Sequence, residues 1–317
     1  MLVACGTSTV PPLSTSPADS PTQTLPTLTA PQSRRAELVE ATNSPTPTQQ
    51  LPIIAEDPSG TNNQLPAESL QSPISNSPIL DWKSLPVIPT NIDPSLQKVY
   101  QRGLELGNDP RAFSLFGDCQ ARPDEFFGVF ETDTDLFGSL SPELQEMVTN
   151  FEGSFNRESP TAQDGTTPGA LLWIQWHRGR FDCTLAETPV ECELRIHRPS
   201  FVIIQIGTHF ESRNTEYLRK IIHQLLDAGV VPILATKADN RELDDRVNRD
   251  IALLASEYDL PLWNFWAAVS DVPDRGLYTR DDRPLQGDIY LTEEAARIHR
   301  MTGLEALNAV WRAVTIK

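Results

Sequence analysis

The chain has 317 residues, with 26 basic against 43 acidic side chains and a formal net charge of −17. That balance argues against nucleic acid as a partner, because the longest basic stretch, Trp176-His177-Arg178-Gly179-Arg180, offers no more than a local anion contact. Two arginines against six acidic residues leave −4 in residues 1–80, so −13 falls on the remainder.

The first residues, Leu2-Val3-Ala4-Cys5-Gly6, place a small residue directly before a cysteine, an arrangement that resembles the lipobox of bacterial lipoproteins. The resemblance implies a lipid on Cys5, membrane attachment through it, and an extracytoplasmic location on the bacterial cell surface or periplasmic face. A lipoprotein signal needs a basic segment and an apolar run before the cysteine, so this reading expects a precursor that begins upstream. The alternative is a soluble chain with an incidental cysteine.

Residues 1–80 hold 13 of the 27 prolines and no Phe, Tyr or Trp. Without aromatic area to offset chain ordering, this stretch reads as a disordered, extended Pro/Ser/Thr-rich tether. Arg34 to Glu40 is too short to hold a helix alone. From Asp81 the composition changes: all six tryptophans lie in residues 81–317, which are long enough for one large core.

Within that domain the periodicity alternates between strand and helix. Leu96 to Leu106 predicts an opening helix, and Ala112-Phe113-Ser114-Leu115-Phe116 a short buried strand ending at Gly117. Phe201 to Ile206 is a nearly continuous apolar run that stops at Gly207, as expected of a strand covered on both faces. Asn214 to Ala228 carries Leu218, Ile221, Ile222 and Leu225 at helical spacing, with Gly229 placed to end it. Val230 to Ala235 returns as a strand, Asn248 to Tyr258 as a helix, and Leu260 to Trp266 opens strand-like. The alternation implies a three-layer α/β fold with a mostly parallel central sheet, whose ligand site lies at the carboxyl ends of the strands.

Cys183 and Cys192 bracket a short polar loop between two segments of strand-like content, a spacing that suits a disulfide-closed hairpin in an exported protein. Cys119 is then the free thiol. The alternative is four reduced cysteines in a cytosolic protein.

Gly117-Asp118-Cys119-Gln120, together with the blocks that follow, resembles the SGNH/GDSL hydrolase family, and more closely its divergent bacterial lipoprotein members, over about residues 96–315. Gly117-Asp118-Cys119 matches the first block, Gly-Asp-Ser, with Cys119 at the nucleophile position. The second block is represented by a polar loop around Gly153 to Ser159 that includes Asn156. Gly207-Thr208-His209 occupies the third block, where His209 replaces the oxyanion-donating asparagine. In Gly287-Asp288-Ile289-Tyr290-Leu291-Thr292, Gly287 stands at the position of the acid and Tyr290 at that of the histidine.

The resemblance implies a flavodoxin-like SGNH hydrolase fold and a pocket formed by Gly117, Asp118, Asn156, Gly207, Thr208, Asp288 and Tyr290. The family's ester hydrolysis needs a base beside the nucleophile and donors aimed at the oxyanion. Tyrosine, with an ordinary pKa near 10, is a poor base at neutral pH, and Asp288 is one position from the lost acid. Two readings follow: a degenerate site that binds a cell-envelope carbohydrate or acyl ligand, or a cysteine-dependent esterase or acyltransferase using a Cys119 and His209 pair. For His209 no orienting carboxylate is assignable, since Asp118 adjoins Cys119 and Glu211 lies only two residues away.

The remaining motifs point elsewhere. His177, His197, His223 and His299 lack metal-ligand spacing, and no glycine pattern matches a dinucleotide or phosphate loop, so no metal and no cofactor is expected. Trp173, Trp176, Trp263 and Trp266 are candidates for sugar stacking, although aromatic residues in strands more commonly belong to the core. Asp239 to Glu242 reads as a polar loop or helix start.

Overall fold

The computed structural model describes residues 80–315. Cys5 and nearly all of the tether lie outside the described residues. The elements run α1 (Ser95–Glu105), β1 (Asp109–Gly117), α2 (Val129–Thr132), α3 (Thr134–Ser139), α4 (Pro142–Asn150), α5 (Pro168–Leu171), α6 (Pro189–Ile196) and β2 (Pro199–Gln205). They continue through α7 (Asn214–Asp227), β3 (Val231–Ala235), α8 (Arg246–Glu257), β4 (Leu262–Trp263), α9 (Phe265–Ala268), β5 (Leu277–Tyr278), β6 (Tyr290–Leu291) and α10 (Glu293–Thr315).

The apolar runs of β1, β2 and β3 become the centre of a four-stranded sheet, ordered β1-β2-β3-β4 with every pair parallel. Every residue of β2 and β3 is buried, as expected where helices cover both faces. A further parallel bridge joins Gly117 to Ala162, and the Gly117 N–H donates to the Thr161 carbonyl at 2.9 Å. Gly117 also pairs with Gln205 of β2, so this short segment lies on the other side of β1. With it included, the order across the sheet in terms of chain sequence is second, first, third, fourth, fifth, the flavodoxin-like doubly wound arrangement.

α7 turns Leu218, Ile221, Ile222 and Leu225 inward. It ends at Gly229, whose φ of 71° lets the Val230 N–H reach the Leu225 carbonyl at 2.9 Å. Gly103 of α1 packs against that turn, where a Cβ would stand 2.1 Å from the Gly229 carbonyl oxygen. On one side of the sheet Phe113 meets Phe127, Phe151 and Phe155 edge to face. His299 of α10 is buried among Phe126, Trp263 and Phe265.

The region between β1 and β2 differs from the sequence expectation. Cys183 and Cys192 are bonded, with Cα atoms 5.3 Å apart, but they do not close a hairpin. Cys192 lies in α6, which starts with Pro189 and a capping box formed by Thr188 and Glu191. Proline at the first helical position and the reciprocal cap favour helix there over the strand expected. Trp263 is core and His223 is solvent-facing, whereas Trp173 is exposed and Trp176 half-buried, so the last two are not strand-core residues. No described helix is long and apolar enough to cross a membrane.

Candidate functional site

The first and last blocks meet at the carboxyl end of β1. Gly117 is needed for close approach, because a Cβ there would stand 2.4 Å from Ala121 Cβ and 2.5 Å from the Gln205 carbonyl oxygen. Asp118 then caps a short 3-10 turn, Cys119–Ala121, its Oδ1 accepting from the Gln120 N–H at 3.3 Å. The Gln120 side chain donates from Nε2 to the Ile289 carbonyl at 2.6 Å, drawing the last block over the turn. Cys119, Ile289 and Tyr290 pack there as a small buried cluster.

Gly287 has a φ of 71°, and the chain passes through it without presenting an acid. Asp288 is exposed and accepts from the Thr279 hydroxyl, so the structure does not bring it to Cys119. The Tyr290 hydroxyl donates to Gln286 Oε1, while Arg283 Nη1 donates to it at 3.5 Å. Burial pushes the Tyr290 phenol above its ordinary range, which leaves it protonated.

The third block arrives beside the first because Gln205 pairs with Gly117. Gly207 takes a φ of 143°, and a Cβ on it would stand 2.6 Å from Val247 Cγ1, so glycine is required on both counts. His209 lies beyond it with Nδ1 3.7 Å from Asp118 Oδ2, and neither atom has a hydrogen-bond partner. Asp118, set aside in the sequence reading because it adjoins Cys119, is therefore the carboxylate that faces His209. Among the described residues no hydrogen bond joins Cys119 to His209.

The Cys119 thiol is 9 % exposed, and burial pushes its pKa strongly upward. The charges of Asp118, Asp164 and Glu125 act in the same direction, and the Gln120 N–H offsets them only in part. A thiol in an apolar cluster surrounded by carboxylates stays protonated at neutral pH, the reverse of an activated nucleophile.

Behind the third block lies a charged network that the sequence reading assigned to a polar loop. Lys237 is buried just beyond β3, and its ammonium donates to Asp239 Oδ1 at 2.8 Å, to the Asp239 carbonyl at 2.9 Å and to Glu242 Oε2 at 2.6 Å. Asp239 Oδ2 accepts from the Thr208 hydroxyl at 2.7 Å, and Arg241 Nη1 donates to the Thr208 carbonyl at 3.2 Å. Thr208 is therefore anchored away from Cys119, and the loop that carries His209 is tied to the end of β3. Glu211 holds the other side, accepting from the Gly169 N–H of α5 at 2.6 Å.

Asn156 is not brought to Cys119. It is exposed and lines a separate cleft of about 710 Å³ together with Arg122, Ala162, Asp164, Trp176 and Arg178. Asp164 links the two regions, pairing with Arg122 at 3.1 Å and approaching Arg283 at 3.8 Å, and Arg283 in turn reaches Tyr290. The sequence reading quoted Gln120 only as the residue after Cys119 and Asp239 and Glu242 only as parts of a polar loop or helix start, and it passed over Lys237 and Arg283, because none of the five sits at a diagnostic spacing. Among the described residues no group of three or more His, Cys, Asp or Glu side chains is placed to hold a metal ion.

The sheet order and the loops at its carboxyl edge define a doubly wound α/β domain with a mostly parallel central sheet and flanking helices. No protein-family model and no curated protein matches the chain. Among solved structures it is similar to a GDSL-like lipase from Bacteroides thetaiotaomicron, with 16 % identity and a TM-score of 0.39 over 68 % of this chain and 97 % of that one. It is also similar to a candidate acylhydrolase from Bacteroides fragilis, with 15 % identity and a TM-score of 0.42 over 70 % of this chain and all of that one.

Proposed function

We propose that residues 81–317 form a divergent SGNH/GDSL-type domain that binds a cell-envelope carbohydrate or acyl ligand without hydrolysing it. In this reading the domain is held outside the cytoplasm by a lipid on Cys5, with residues 6–80 as spacer. The observation that carries the non-hydrolytic reading is the state of Cys119: buried beneath Ile289 and Tyr290, pushed toward the protonated form by its surroundings, and not hydrogen-bonded to His209. The Cys183–Cys192 disulfide supports export to an oxidising compartment. The second reading, a thiol-dependent esterase or acyltransferase, draws on the Asp118 and His209 juxtaposition, in which a carboxylate stands where it could orient an imidazole.

Turnover of p-nitrophenyl acetate separates the two. We expect the full chain and its Cys119→Ala variant to show the same background rate. Hydrolysis that disappears in C119A would overturn the binding reading in favour of the thiol enzyme. Metabolic labelling with a lipid precursor tests the anchor, and a protein exported by a bacterial host that stays unlabelled would remove it.

A further inference from the structure

The cleft beside Ala162 takes no part in the chemistry discussed so far. We propose that it is a binding site for an acidic saccharide, with a sugar ring resting on Trp176 and a carboxylate taken by Arg178; this rests on reading the domain as a binding module. Its volume, about 710 Å³, falls in the range that houses small-molecule ligands, roughly 300–1,000 Å³.

The charges in its walls select the ligand class. Arg122 is committed to Asp124 at 2.8 Å and to Asp164 at 3.1 Å. Arg180 leans on the Phe181 ring and stands 3.8 Å from Glu158. Arg178 is exposed, and its guanidinium has no hydrogen bond, ion pair or ring contact among the described residues. A free guanidinium offers the paired donors that a carboxylate accepts. The acidic residues in the same walls would repel a polyphosphate, yet they accept hydrogen bonds from hydroxyls. A polyol carrying isolated carboxylates satisfies both conditions. Trp176 supplies the apolar face, with its orientation fixed by an indole N–H that donates to the Thr166 hydroxyl at 3.3 Å.

The wall that carries Arg178 is also built to stay in place. Arg178, Phe181 and Asp182 adopt φ values of 53°, 60° and 57°, a region that residues with a Cβ usually avoid. His177 holds the turn from inside, its Nδ1 accepting from the Gly179 N–H at 3.0 Å and its Nε2 donating to the Glu187 carbonyl at 2.9 Å. Arg195 donates to the Asp182 carbonyl at 2.8 Å, and the Cys183–Cys192 bond ties the segment to α6. Fixing a binding wall before the ligand arrives lowers the ordering cost of association.

The test uses the full chain with two acidic probes, trigalacturonate and a hyaluronan tetrasaccharide, each compared with its own methyl ester by titration calorimetry. At least one acid should bind about tenfold more tightly than its ester, and Arg178→Gln should weaken that acid about tenfold and abolish the preference. R178Q removes no intramolecular contact of the side chain, so its fold should be intact by circular dichroism. Absence of binding by both acids, equal affinity for acid and ester, or a preference that survives in R178Q would overturn the proposal. Methanol released from an ester, in a reaction lost in C119A, would refute the non-hydrolytic reading while the acid-binding data still decide the cleft.

Discussion

Removing the Lys237 ammonium should destabilise the domain more than most single substitutions. In Lys237→Met the side chain is close in length and remains compatible with a buried site, but Asp239 and Glu242 lose the cation between them. Their side chains are 1 % and 0 % exposed, so water cannot replace it without a local opening. Asp239 keeps the Thr208 hydroxyl and the Arg241 N–H, and Glu242 keeps the Val247 N–H at 3.3 Å, which offset part of the loss. Breaking a buried pair in this way costs about 3–5 kcal/mol, and for a domain of this size that lowers the melting temperature by about 6–20 °C. Urea unfolding followed by tryptophan fluorescence measures the deficit. A triple variant, K237M with Asp239→Asn and Glu242→Gln, should recover most of it, since no charge is then left unpaired. A K237M protein within about 1 kcal/mol of the parent at pH 7, or a triple variant that recovers none of the deficit, would refute the reasoning.

His197 is held down to about 4 by burial and by the Arg157 charge, below its unfolded value near 6.5. The unfolded chain therefore binds the proton first, so stability present above about pH 6.5 is lost as pH falls toward 4, by roughly 2 kcal/mol at this partly exposed site. His197→Gln should flatten that part of the stability profile, and an unchanged slope would count against the assignment. Reducing and alkylating Cys183 and Cys192 frees a short loop and should cost about 2–3 kcal/mol in urea unfolding, where a loss below about 0.5 kcal/mol would mean that the surrounding hydrogen bonds hold the segment unaided. Iodoacetamide should modify Cys119 of the folded chain far more slowly than in urea at pH 8.5, with no dependence on His209→Ala; rapid alkylation that slows in H209A would revive the activated pair.

The elements that were legible in the sequence are those whose burial imposes a period. β1, β2, β3, α7 and α8 fall within two or three residues of their expected ends, because each contributes an apolar run or face to the same sheet core. The bridge at Ala162 lacks such a run and is visible only through Gly117, which pairs on both sides. Residues 168–198 were misread for a related reason: their conformation is set by a disulfide, a capping box and four left-handed non-glycine residues, none of which produces a hydrophobic period. The candidate site divides along the same line. The readable ends of β1 and β2 carry Cys119 and the His209 loop, whereas Tyr290 reaches Cys119 from β6, a strand the sequence reading did not expect, and Asp118 faces His209 although it had been set aside. Which group faces which depends on side-chain contacts across those ends. Gln120 reaching Ile289, and Thr208 drawn to Asp239 rather than toward the thiol, are such contacts between residues 169 and 31 positions apart. Lys237 shows the limit most directly: Lys-x-Asp-x-x-Glu looks like a solvated charge run, and only the closing of β3 against the Gly207 loop turns it into a buried support. Strand ends therefore fix where such residues stand, while the groups they face are set by charges distant in sequence, Asp164 beside Cys119 and Asp239 beneath Thr208.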